Sequence, residues 1–330
     1  MYDDIDVQTG TNILILSCGT RNKITQYFKK ELASKGKVIA TDCSSLAPAL
    51  YDADKHYVVP QINDSQYLDT ILDICIENKV KAVLSLIDPE LSLLAKKKQD
   101  FLEIGTVPII SDYEVVEMCL DKYTMYRYLI QNGFNTIKSY IDKDKFYNDV
   151  EAGVINYPVF VKPIRGSASI NINKVISKEE IEVLFNRHKD LLIQECMQGK
   201  EYGADVYIDI LSGETVAIFI KEKIKMRAGE TDKSVSIKNE KLFGLIQNFV
   251  KKAGFKGVID IDIFEKDGEY YISEVNPRFG GGYPHAYECG VNIPRMIINN
   301  IEGKANDEVT GNYDEGIYMM KFNEVKIVRG

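Results

Sequence analysis

The sequence predicts an α/β N-terminal domain followed by a larger α+β unit, on two observations. Up to about residue 112 strand and helix patterns alternate, which favours a parallel sheet covered on both faces. After a boundary within residues 112–140 the pattern turns strand-rich, as antiparallel sheets require. The division is set at residues 1–112 and 113–330.

Residues 12–17 form an apolar run that meets Cys18-Gly19-Thr20-Arg21, and residues 24–33 have helical spacing. Residues 38–42 read as a second strand, 67–77 as a helix and 81–87 as a further strand. Asp42 stands where a dinucleotide fold places its ribose acid, but the G-x-G-x-x-G pattern is absent around Gly19, which argues against such a site. Asp88-Pro89-Glu90 follows a strand end, where open α/β sheets bind ligands. It reads equally as a substrate contact or a helix cap. Residues 115–132 are predicted as one helix closed by Gly133. Strands follow at 157–162, 192–196, 203–211, 215–223, 258–264 and 270–275, with helices near 178–188 and 240–253 and a last strand within 312–328.

The 330 residues, 45% hydrophobic and 27% charged, are ordinary for a soluble globular protein of two or three packed units. A net charge of -8 argues against non-specific binding to nucleic acid or to an anionic membrane. No apolar stretch approaches a membrane span. Cys18, Cys43, Cys75, Cys119, Cys196 and Cys289 are scattered without a C-x-x-C pair, so they read as reduced core thiols of a cytoplasmic protein.

The chemistry concentrates in residues 270–284, where Glu274, Asn276 and Arg278 can share one strand face before Pro277 and Gly280-Gly281-Gly282 end regular pairing. Glu-x-Asn alone is no more than a polar edge strand. Asp260 and Asp262 alternate with isoleucines, and a turn at Lys266-Asp267-Gly268 would set Asp262 beside Glu274. Two such carboxylates need a cation between them, and hard oxygen donors point to Mg²⁺, with Mn²⁺ as the alternative ion.

Lys162 ends a hydrophobic strand, and Gly166 and Ser167 follow in a small loop suited to wrapping phosphates; a solvated strand end is the plainer reading. Gln194, Glu195 and Met197 lie in a segment resembling a hinge whose backbone could pair with an adenine edge, with Glu201 one turn later as a ribose acid. A strand leaving its sheet through a glycine turn is as good a local account. Residues 223–233 read as a charged loop in which Arg227 could clamp a carboxylate, or as plain surface. Gly281, Tyr283 and His285 are assigned to an acceptor side, His285 being either a proton relay or a structural residue.

In this order the motifs resemble the ATP-grasp superfamily, particularly members related to the large subunit of carbamoyl-phosphate synthase. The match runs through Asp121-Lys122-Tyr123-Thr124-Met125, Phe160-Val161-Lys162-Pro163 with Gly166-Ser167, the 194–201 segment, Asp262, and Glu274-x-Asn276-x-Arg278. The resemblance implies ATP held between two α+β ATP-grasp lobes, a small central one at about 140–197 and a C-terminal one at about 198–330. It makes Lys122, Lys162, Gly166, Ser167, Gln194, Glu195, Met197 and Glu201 ATP-binding, Asp262, Glu274 and Asn276 metal ligands, and Lys162 and Arg278 the catalytic cations. The chain departs from the family in carrying Asp262 where many relatives have Glu or Gln, and in lacking a second glycine after Ser169.

The expected activity is ATP-dependent joining of a small-molecule carboxylate to an amine through an acyl phosphate, releasing ADP and phosphate, in a homodimer implied by resemblance alone. The alternatives are carboxyphosphate or carbamate chemistry of the synthase type, or a regulatory protein that binds ATP without turnover. Neither nucleic acid nor membrane is expected as a partner.

Overall fold

The computed structural model describes residues 10–166 and 171–329. Its first unit is a five-stranded parallel sheet of order β3-β2-β1-β4-β5, built from β1 (Asn12–Leu16), β2 (Val38–Asp42), β3 (Lys55–Val58), β4 (Val80–Ser85) and β5 (Val107–Pro108). Helices α1 (Asn22–Leu32), α2 (Tyr67–Glu77), α3 (Asp88–Lys96) and α4 (Lys98–Glu103) connect them. Successive strand residues serve different cores. Ile13 and Ile15 pack with Tyr27 and Phe28 of α1, while Leu14 and Leu16 pack with Ile71 and Ile74 of α2 and Leu91 of α3.

Then come α5 (Tyr113–Leu120) and α6 (Lys122–Gln131). The single helix predicted over 115–132 is thus two. Asp121 stands between them with extended backbone, and its carboxylate accepts the Thr124 amide at 2.8 Å, capping α6. Lys122 therefore occupies the first position of a new helix rather than the middle of a long one.

A four-stranded antiparallel sheet of order β6-β9-β7-β8 follows: β6 (Ser139–Tyr140), β7 (Val159–Pro163), β8 (Asn173–Val175) and β9 (Leu191–Glu195). Helices α7 (Lys143–Glu151) and α8 (Lys178–Arg187) supply Phe146 and Ile181 to its separate core. The last sheet has six antiparallel strands in the order β14-β13-β10-β11-β12-β15. They are β10 (Lys200–Ile208), β11 (Thr215–Arg227), β12 (Glu230–Ile237), β13 (Gly257–Lys266), β14 (Glu269–Asn276) and β15 (Tyr318–Met320), with α9 (Glu240–Ala253), α10 (Tyr283–Glu288) and α11 (Ile293–Ile301).

Residues 223–233 are not a loop. They are the outer half of a β11–β12 hairpin that turns at Ala228-Gly229, where both residues have positive φ. Within 312–328 only β15 pairs, against Lys233–Val235 of β12. Strand β3, exposed at three of its four positions, lacks the apolar run that would have announced it. Of the six cysteines, all unpaired, only Cys18 and Cys75 are buried, so the expectation of core thiols holds for two. Among the described residues no helix is long and apolar enough to cross a membrane.

The core of the six-stranded sheet is continuous with that of α1. Tyr27 stacks on Tyr287 of α10 with ring centroids 3.6 Å apart, and Arg295 of α11 reaches Glu31. This packing brings the ends of β1 and β4 to the polar face of the large sheet.

Candidate functional site

One face of the six-stranded sheet is charged. On β10 it carries Glu201, Gly203 and Asp205, on β11 Lys221 and Lys223, on β13 Asp260 and Asp262, on β14 Glu274 and Asn276. The turn at Asp267-Gly268, both with positive φ, closes the β13–β14 hairpin and places Asp262 directly opposite Glu274 and Asp260 opposite Asn276. Strict alternation would send Ile272 and Glu274 to the same face. A bulge at Ser273 prevents this: Ile272 pairs with Ile263 in the core while Glu274 pairs with Asp262 in the cleft.

Like charges so placed demand a cation, and Lys223 supplies one. Its Nζ lies 2.6 Å from Asp262 Oδ1 and 2.9 Å from Glu201 Oε1. The path crosses Gly203 on the middle strand, where a Cβ would stand 3.2 Å from the Lys223 Cε. Burial opposes the ammonium charge, but Asp262 and Glu201 outweigh it and raise the Lys223 pKa. Sequence reading missed this residue. The signal was Lys223, Lys225 and Arg227 alternating along what is a strand.

These groups open into a cleft of about 590 Å³ whose wall also includes Lys122, Lys162, Gly166, Asp88 and Arg278. Helix α6 is tied to the small-lobe loop at two points: the Lys122 amide donates to Ile164 O at 3.0 Å, and Lys122 Nζ to Gly166 O at 2.5 Å. Lys162, at the end of β7, is buried; desolvation pushes its pKa down while Glu274 pulls it back up. Ser167 lies outside the described residues.

Arg278 crosses to the first unit, where its Nη2 and Nε lie 2.9 and 3.3 Å from Asp88 Oδ2. Burial works against its charge, but Asp88, Asp260 and Glu274 together outweigh it and raise the Arg278 pKa. The Asp88 side chain makes no cap bond at the start of α3, its Oδ2 being on Arg278 and its Oδ1 without a partner among the described residues, so the helix-cap reading is not the one observed. A second pair spans the units in the same way, with Arg21 Nη2 at 2.8 Å from Glu230 Oε1. Asp42, by contrast, is spent on the turn it follows, accepting the Gly19 amide at 2.9 Å.

The three glycines make room for charge. A Cβ at Gly280 would collide with the Asp260 carboxylate, at Gly281 it would lie 2.7 Å from Glu230 Cδ, and at Gly282 2.7 Å from Lys221 Cε. Lys221 itself is buried and paired with Asp205 beneath the loop. Burial, then Asp262 and Asp205, raise the Asp260 pKa to about 7.

Several expected site residues lie elsewhere. Tyr283 is fully buried, donating to Val291 O at 3.1 Å and packed against Phe279. His285 is buried too: its Nε2 donates to Ile317 O at 3.0 Å, so Nδ1 accepts from Ser234 Oγ at 2.8 Å. Burial, with Lys221 adding to it, lowers the His285 pKa to about 4. Both belong to the support of the glycine loop, since α10 begins at Tyr283 and turns these side chains inward. Arg227 holds Asp232 at 3.2 Å and is not among the residues that line the cleft, although its neighbours Met226 and Ala228 are. Gln194 donates to Ser139 Oγ at 3.0 Å, Glu195 faces Lys266 at 3.7 Å, and neither they nor Met197 line the cleft.

Among the described residues no group of three or more His, Cys, Asp and Glu side chains forms a metal cage. Asp262 and Glu274 with the Asn276 amide oxygen instead form an open set of hard donors, already occupied on one side by a cationic side chain. That donor chemistry fits Mg²⁺ that takes further oxygens from water or phosphate.

Residues 119–282 match the model of the ATP-grasp domain family, and residues 13–110 that of the PylC-like N-terminal domain. The chain carries an ATP-grasp domain. The arginine-specific large chain of carbamoyl phosphate synthase from Geobacillus stearothermophilus is 22% identical over 83% of this chain and 27% of its own length. The vancomycin B-type resistance protein of Enterococcus faecalis is 27% identical over 60% and 66%, and the D-alanine–D-alanine ligase of Bacillus licheniformis 27% over 55% and 57%. The chain thus spans about a quarter of the first of these relatives and less than two thirds of the others.

The biotin carboxylase domain of Hydrogenobacter thermophilus 2-oxoglutarate carboxylase, crystallised as a dimer with MgADP and bicarbonate, superposes with a TM-score of 0.74. It covers 93% of this chain and 73% of its own at 18% identity. N5-carboxyaminoimidazole synthetase of Staphylococcus aureus with ADP gives 0.72 over 91% and 79% at 16% identity. These likenesses show that this ATP-grasp chain shares their fold.

Proposed function

We propose that the chain is an ATP-dependent carboxylate–amine ligase that works through an acyl phosphate. The observation that carries this reading is the direct pairing of Asp262 with Glu274 on a hairpin that faces Lys122, Lys162 and Arg278 across one cleft. ATP would lie with its phosphates between the two lysines and the hairpin, and its ribose hydroxyls on Glu201. Met197 and the backbone after β9 would meet the adenine. Mg²⁺ held by Asp262, Glu274 and Asn276 would neutralise phosphate charge.

A carboxylate oxygen of the acid attacks the γ-phosphorus, the bond to the β,γ-bridging oxygen breaks, and ADP leaves. An amine nitrogen then attacks the acyl carbon, the carbon–oxygen bond to phosphate breaks, and phosphate departs as the nitrogen loses its proton. The protein's part is to position the groups and balance charge: Lys162, which is buried, and Arg278, which is largely so, would face the migrating phosphoryl group where their charge acts through little water.

The relatives support this reading by kind, being a D-alanine–D-alanine ligase and a carbamoyl phosphate synthase chain. The presence of both lysines and all three oxygen donors counts against an inactive ATP-binding protein. The test is ADP release by the purified chain with ATP and Mg²⁺ against panels of acids and amines, with bicarbonate as a separate arm. Release that needs both an organic acid and an amine is expected, whereas turnover on bicarbonate alone would replace this reading with carboxyphosphate chemistry.

A further inference from the structure

Two buried polar atoms of residues in the cleft wall have no hydrogen-bond partner among the described residues: Nη1 of Arg21 and Oδ1 of Asp88. Arg21 precedes α1 and Asp88 opens α3, so both come from the strand ends of the parallel sheet. One other atom of each side chain is taken. Nη2 of Arg21 is on Glu230, and Oδ2 of Asp88 holds the Arg278 guanidinium. One charged donor and one charged acceptor thus stay buried and open in the cleft wall. Leaving such a group buried and unpaired is costly, more so when it is charged, so it persists where a ligand or water completes it.

The surrounding charge narrows the ligand. Arg21 and Arg278 each face one anion, Glu230 and Asp88, and the second oxygen of Glu230 is held by Lys321. A simple carboxylate would answer Arg21 but bring a second anion towards Asp88, and a simple amine would do the reverse to Arg21. The two charges are close enough to influence one another, since Asp88 helps to hold up the Arg21 pKa that burial lowers. Gly281 and Gly282 line this end of the cleft.

We propose that this end of the cleft binds a zwitterion, an α-amino acid, with its carboxylate on Nη1 of Arg21 and its ammonium on Oδ1 of Asp88. The proposal rests on the ligase reading only in making that amino acid a substrate; the binding itself needs no turnover. Specificity for this substrate then comes from the N-terminal domain, while Lys162, Asp262 and Glu274 serve the nucleotide.

The experiment is calorimetric titration of the full chain, loaded with Mg²⁺ and a non-hydrolysable ATP analogue, with glycine, D-alanine and the proteinogenic L-amino acids one by one. The tightest binder is then compared with its deaminated and its decarboxylated counterparts. Each counterpart should bind about 10- to 100-fold more weakly, the loss expected for one charge-assisted hydrogen bond. Arg21→Met should erase the preference over the decarboxylated compound and Arg21→Lys should restore part of it. Asp88→Asn should erase the preference over the deaminated one. Retained binding of the ATP analogue by each variant shows that it is folded.

Failure of every amino acid to bind a chain that binds the analogue would overturn the proposal, as would counterparts that bind as tightly as the zwitterion. Amino-acid binding without acid- and amine-dependent ADP release would sink the ligase reading and leave the zwitterion site standing. Acid- and amine-dependent release from substrates that are not zwitterions would do the opposite.

Discussion

Lys223 and Asp262 form an ion pair, 2.6 Å from Nζ to Oδ1, at the point where the hairpin would share a divalent ion with phosphate. On the proposed assignment the ammonium stands where metal charge would act, and nucleotide and metal would have to draw both carboxylates away from the same lysine, which would couple their binding.

Lys223→Met should destabilise the ligand-free chain by about 2 kcal/mol, below the 3–5 kcal/mol of a fully buried pair because Asp262 and Glu201 are partly exposed. Mg²⁺ with a non-hydrolysable ATP analogue should recover more stability in the variant than in the wild type. Thermal melts with and without the two ligands measure this, and equal shifts in both proteins would refute the coupling.

Replacing Glu274 with Gln, or Asp262 with Asn, removes a charged oxygen donor while keeping shape. ADP release should fall by about 100-fold or more, because several kcal/mol of metal-assisted charge neutralisation are lost. Binding of a fluorescent ATP analogue without Mg²⁺ should change little. Undiminished ADP release in either variant would place the metal elsewhere.

The pairing of Asp262 and Glu274 was legible beforehand because period-two alternation and an Asp-Gly turn are both local signals. The bulge at Ser273 was not, although the burial of both Ile272 and Val275 requires it. Arg278 was recognised as a cation near the chemistry, but its partner Asp88 lies 190 residues earlier, and no local pattern reports so distant a contact. Tyr283 and His285 were misplaced for a different reason. Their spacing after the glycines suggested a substrate loop, whereas the start of α10 at Tyr283 decides which way each side chain turns. The charged alternation after Lys221 was hidden because exposed strand residues look like loop residues when neither face is apolar.

The glycine loop should respond unequally to added methyl groups. At Gly280 the methyl meets the short Asp260 side chain on a central strand, which has little room to move, so Gly280→Ala should cost about 1–3 kcal/mol and most of the activity. At Gly281 it meets the end of Glu230, a longer and partly exposed side chain that can swing aside by loosening its pairs with Arg21 and Lys321, at the small cost of solvent-screened ion pairs. Gly281→Ala should keep its fold stability to within about 0.5 kcal/mol. Urea denaturation of the two variants side by side decides the matter, and an equal cost at both positions would contradict the contacts described.

His285 gives the fold an acid sensitivity of its own. Its folded pKa of about 4 lies below the ordinary 6.5, so the unfolded chain binds the proton more readily and stability falls as pH drops from 6.5 towards 4. The shift corresponds to roughly 3 kcal/mol at most. His285→Gln should flatten the pH dependence of the urea midpoint across that window, and an unchanged slope would mean that other groups set it.

The two ion pairs that join the parallel sheet to the large lobe, Arg278 with Asp88 and Arg21 with Glu230, also have a modular consequence. Each half of the chain brings one member of each pair, so neither half alone presents a finished pocket. Grafting a foreign N-terminal domain onto residues 113–330 would preserve the β13–β14 hairpin and the cleft lysines, yet strip Arg278 and Glu230 of the partners that aim them. On the proposed function, diversification in such a chain would proceed at the seam, with selectivity altered from one side while the phosphate chemistry stays on the other.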